Sequence, residues 1–81
     1  MSGSISEYDL VRVSSVNTAQ PWPKLEGMKP PQVGDEGTVV AVLSQRRFIV
    51  ESVDSEGLTR WLCEFDADDL TVVRQADRGS N

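Results

Sequence analysis

Apolar and polar residues alternate with a period of two in several short stretches of this chain, the signature of half-buried strands. In residues 8–13, Tyr-Asp-Leu-Val-Arg-Val, Val11 and Val13 share a face with Asp9 while Leu10 lies opposite, which predicts a first strand. Residues 38–43, Thr-Val-Val-Ala-Val-Leu, form a β-branched apolar run with the composition of a buried second strand. Just before it, Gly34 and Gly37 bracket Asp35 and Glu36, a pattern that predicts a solvated bend whose glycines take backbone angles closed to other residues. A third strand is predicted over 47–53, with Phe48 and Val50 on one face and Ile49, Glu51 and Val53 on the other. Asp54-Ser55-Glu56-Gly57 reads as a hairpin turn with Gly57 at positive φ. A fourth strand, 58–65, sets Trp61, Cys63 and Phe65 against Arg60, Leu62 and Glu64. Asp66-Ala67-Asp68-Asp69 predicts one helical turn capped by Asp66, and residues 70–74 a short closing strand.

Periodicity fails between residues 17 and 32, where four prolines (21, 23, 30 and 31) and Gly27 fix backbone angles and remove amide donors. This segment is expected to be a long, stiff loop. Five short strands, a long loop after the first and a helical turn before the last describe an all-β fold, a small antiparallel barrel of the SH3-like type. An OB-type barrel, with longer strands and a fuller helix, fits less well. Residues 1–6 and 75–81 are expected to be disordered ends around one domain, 7–74.

Four pieces of the chain resemble a domain-of-unknown-function family of small bacterial proteins with an SH3-like barrel. The pieces are Tyr8-Asp9-Leu10-Val11, the segment 34–40 (Gly-Asp-Glu-Gly-Thr-Val-Val), the segment 48–54, and Asp69-Leu70. The family pattern runs Tyr-Asp-x-Val, Gly-Asp-x-Gly-Thr-Val-Val, Tyr-x-Val-Glu-Phe-Val-Asp and a closing Asp-Leu. Ser52 stands where that pattern carries a bulky aromatic, and the proline-rich loop is longer than the family's. The resemblance implies a bacterial protein with no catalytic residues to carry over. The glycine-bracketed turn and its strand are also similar to SH3-like accessory subunits, including the nitrile hydratase beta subunit and a small photosystem subunit, which implies a structural role in a larger complex as an alternative.

The 81 residues include thirteen acidic and eight basic side chains, for a net charge of −5 with no histidine. A polyanion meets a repulsive average field, so nucleic acid is not an expected partner, and a nucleic-acid-binding barrel is the weakest of the functional readings. Arg46-Arg47 reads as a solvated turn between the second and third strands. One cysteine, Cys63, excludes an internal disulfide, and no leader or run of about 20 apolar residues points to export or a membrane. The expected location is cytoplasmic. No histidine, metal-ligand spacing or activated cysteine supports catalysis, so neither enzyme activity, nor a cofactor, nor a metal is expected.

The candidate partner-binding residues fall into two groups. Pro21-Trp22-Pro23 holds an indole in an extended segment, where it either folds back as a lid on the core or contacts a partner. Trp61 is expected in the core; if exposed, it would form an aromatic groove with Trp22 and Tyr8. Asp54, Glu56, Asp66, Asp68 and Asp69, with Glu64, make an acidic surface if their loops converge at one barrel end, and otherwise serve as solubilising charge and helix caps. The leading expectation is a non-catalytic protein-interaction module, immunity- or antitoxin-like in one version. Self-association through exposed edge strands is a further possibility.

Overall fold

The structure, a computed structural model, describes residues 5–21 and 29–76. It is all-β with almost no helix. Six strands, β1 (Leu10–Val13), β2 (Gln20–Pro21), β3 (Glu36–Val42), β4 (Arg47–Val53), β5 (Thr59–Asp66) and β6 (Leu70–Arg74), form one antiparallel sheet ordered β2-β5-β4-β3-β1-β6. A 3-10 helical turn, Ala67–Asp69, precedes β6. The sheet is open: among the described residues β2 and β6 are its two edges, and no pairing joins them.

The β3–β4–β5 meander follows the predicted periodicity closely. Phe48 lies opposite Phe65, Val50 opposite Cys63 and Ser52 opposite Trp61, so one face of each strand turns inward. Phe48, Val50, Trp61, Cys63 and Phe65, with Val11, Val13, Val39 and Leu70, build the core. Trp61 and Phe65 meet edge to face with centroids 5.8 Å apart, a geometry worth about 0.5–1.5 kcal/mol beyond burial. Ile49, on the face opposite Phe48 and Val50, is also buried.

Several expectations change. Within the proline-rich segment, Gln20 and Pro21 pair with Glu64 and Cys63. A proline is tolerated there because β2 is an edge strand, where a missing donor need not break a ladder. Gly34 and Gly57 do take positive φ, 96° and 84°. Gly37 is needed for space instead: a Cβ there would lie 2.7 Å from the Glu51 carbonyl oxygen and 2.8 Å from Val50 Cγ1. The predicted solvated bend is also tighter than expected, since β3 begins at Glu36 and the Asp35 carboxylate accepts the Trp61 indole N–H at 3.0 Å.

Contacts also reach residues on either side of the strands. Ile5 packs against the core, the Ser6 amide donates to Asp9 Oδ2 at 2.9 Å, and the Ala76 amide donates to Asp9 Oδ1 at 2.7 Å. Asp9 shares the inward face of Val11 and Val13 and is fully buried. Its carboxylate there joins the segments before and after the sheet.

Candidate functional site

The β3–β4 connection and the helical turn come together at one end of the meander. Ser44 Oγ accepts the Arg46 and Arg47 amides, which tightens the connection, and the Arg46 carbonyl accepts the Ala67 amide at 2.7 Å. Arg46 is exposed in this turn, as expected, but both arginines are tied to neighbouring acids. Arg46 Nη2 lies 2.9 Å from Asp66 and 2.8 Å from Asp68, and Arg47 Nε lies 2.8 Å from Glu64. Hydrogen bonds donated to Asp68 and Asp66 raise the pKa of the Arg46 guanidinium above its ordinary value. Asp66 caps the turn as predicted: the Asp68 amide, more than any other partner, holds its carboxyl below the usual range, with Arg46 acting in the same direction.

Asp69 does something the sequence did not reveal. It is buried and accepts from Ser15 Oγ, from the Thr18 amide at 2.7 Å and from Thr18 Oγ1 at 2.6 Å. Its carbonyl takes the Ser14 and Ser15 amides, and Thr18 Oγ1 in turn accepts the Asp66 amide. Burial opposes ionisation of Asp69, but the donors from Ser15 and Thr18 outweigh it and hold the carboxyl below its usual range. This carboxylate fastens the start of the long loop to the helical turn.

The acidic surface does not assemble as one patch. Asp54 and Glu56 sit beyond the first residue of β5 and Asp66, Asp68 and Asp69 at or beyond its last, a separation of about 25 Å along an eight-residue strand. Asp54 is spent on its own hairpin, where it accepts the Glu56 and Leu58 amides. Glu64, Asp66 and Asp68 are ion-paired, and Asp69 is buried. Nor does an aromatic groove form around Trp61, which is only 1% exposed, whereas Tyr8 is 65% exposed. Large apolar area and the indole bond to Asp35 draw Trp61 inward. Trp22 and Pro23 lie outside the described residues, as do residues 1–4 and 77–81; Pro21 forms the end of β2.

What the helical-turn end does present is an open groove of about 850 Å3. Ile5, Val42, Phe48, Ala67, Leu70 and Val72 supply its apolar side, and Ser44, Gln45 and the Arg46–Asp68 ion pair its polar side. Val42 is half-exposed within it, and Leu70 and Val72 belong to the edge strand β6. Sequence alternation marks each of these side chains as apolar. It carries no signal that they flank an unfilled space, because β3, β6 and the segment before β1 meet only through the topology.

Among the described residues no group of carboxylates and cysteine has the arrangement of a metal site, and no helix is long and apolar enough to cross a membrane. Burial pushes the Cys63 thiol up, away from the reactive thiolate. No protein-family model matches the chain, and no curated protein or solved structure shows significant similarity to it.

Proposed function

We propose that this protein is a non-catalytic interaction module, an open SH3-like barrel that receives an extended, apolar segment of a partner protein in the groove beside the helical turn. The observation that carries the reading is the groove itself: about 850 Å3 with one apolar and one polar side, reached through a half-exposed Val42 and bordered by the edge strand β6. An extended segment suits an edge strand, because alternate side chains enter pockets while main-chain groups face the strand. Arg46 is already balanced by Asp66 and Asp68, so the groove favours a neutral occupant over a highly charged one. The SH3-like reading draws support from the order of pairing, in which β1 lies between β3 and β6 and the helical turn leads into the last strand. The non-catalytic reading draws support from a buried cysteine and from carboxylates engaged in caps and ion pairs.

Selection from a display library of extended peptides tests this reading. Peptides with alternating apolar residues should be recovered, and Val42→Glu should weaken them at least tenfold. Leu58→Glu, at the far hairpin, should leave binding unchanged. Recovery of no binder, or equal binding by both variants, contradicts the groove as the contact.

A further inference from the structure

Part of the groove's wall comes from the segment before β1. Ile5 lines the groove and packs against the core, yet it is only partly buried. The chain reaches that position by reversing direction at Ser6-Glu7-Tyr8-Asp9, closed by the Asp9 amide donating to the Ser6 carbonyl at 3.1 Å. The reversal places Tyr8 at φ 74°, and among the described residues no other non-glycine has positive φ. A left-handed aromatic residue is uncommon and strained, and such strain persists only where surrounding bonds enforce it. Here they do: the Tyr8 amide donates to the Val39 carbonyl at 2.6 Å, the Val39 amide to the Asp9 carbonyl at 3.0 Å, and the Ser6 amide to the buried Asp9 carboxylate at 2.9 Å.

We propose that Ile5 and Ser6 form a built-in strap that fills one end of the groove and is displaced when a partner segment binds. This inference rests on the groove reading given above. The closed strap is held by one apolar side chain and the two hydrogen bonds between Ser6 and Asp9, and it is opposed by the strain at Tyr8. Opening lets Tyr8 return to an extended backbone while the bonds that tie Asp9 to Val39 and Ala76 remain. Tyr8 is largely exposed, so replacing it removes little packing.

Amide hydrogen exchange tests the strap without any ligand. The Ser6 amide should exchange through an opening that leaves the Val39 and Val50 amides protected. Tyr8→Gly, which relieves the left-handed strain, should slow Ser6 exchange about fivefold, and Tyr8→Asn should do so to a lesser degree. Ile5→Ser should speed it. Exchange of Ser6 in step with Val50, or no slowing in Tyr8→Gly, overturns the strap. For the groove, a library-selected apolar peptide should bind several-fold more tightly to Ile5→Ser and about fivefold more weakly to Tyr8→Gly. Unchanged affinities, with the exchange results as expected, would show a mobile segment that does not compete for the groove. A library that yields no binder overturns the groove reading and the strap's regulatory role together, while the exchange data still decide whether the segment opens.

Discussion

The two ends of the β4–β5 pair are built from the same strands and solve opposite problems. At the hairpin end, Trp61 is fully enclosed, its N–H is held by Asp35, Ser52 Oγ donates to the Glu36 carbonyl at 2.8 Å, and Gly37 admits the neighbouring backbone at a distance no side chain permits. At the helical-turn end, Phe48 and Leu70 are also buried, but a groove of about 850 Å3 opens beside them with Ile5 along one part of its wall. The first end spends its large side chains on closure. The second leaves apolar surface reachable, although a domain this small has little core to spare. The contrast sets an enclosed core at one end against reachable apolar surface at the other.

The strongest way to break that division is Trp61→Ala. Loss of a buried tryptophan costs about 3–5 kcal/mol, a large share of the stability of an 81-residue domain. Urea unfolding should show most molecules unfolded or a midpoint sharply lowered. Gly37→Ala probes the same end by overpacking. It should cost about 1–3 kcal/mol, since the added methyl meets the Glu51 carbonyl rather than a flexible side-chain end.

Asp69 tests whether the helical turn also carries stability. Asp69→Ala strips the acceptors from Ser15 and Thr18 and should cost about 1–3 kcal/mol, with the larger change seen as faster amide exchange at Thr18. Its folded-state pKa lies below the unfolded value of about 3.8. Its contribution is therefore full above that value and is lost as pH falls through the lower folded one. Stability measured across that acid window should fall in the wild type and fall less steeply in Asp69→Asn. Asp66, depressed in the same direction, remains in both proteins.

The smallest effects belong to the exposed charges. Arg46→Ala removes ion pairs to Asp66 and Asp68 that stand in solvent, and exposed pairs contribute little. Its unfolding midpoint should shift slightly at low salt, with the difference fading at high salt.

Much of the scaffold was legible because period-two alternation and turn chemistry are local signals. The strand 47–53, the turn residue Gly57, the Asp66 cap and the inward set Trp61, Cys63 and Phe65 were all readable from neighbouring residues. What was not legible depends on residues far apart in the chain. Asp35 looks like a solvated turn acid until Trp61 is brought to it from 26 positions away, and Asp69 looks like one more surface acid until Thr18 arrives from 51 positions away. Arg46 and Arg47 face acids that the sequence assigned to a separate patch. Ile5 belonged to a segment with little else to bury, and only the left-handed turn at Tyr8 folds it back onto the groove.

The division between a closed end and a receptive end is tested most directly by mapping amide and methyl chemical shifts during titration with a library-selected apolar peptide. Changes centred on Val42, Phe48, Leu70 and Val72, with Trp61 and the 54–58 hairpin unmoved, are the expected result. Changes centred on Asp54, Glu56 and Leu58, with the groove silent, would contradict it.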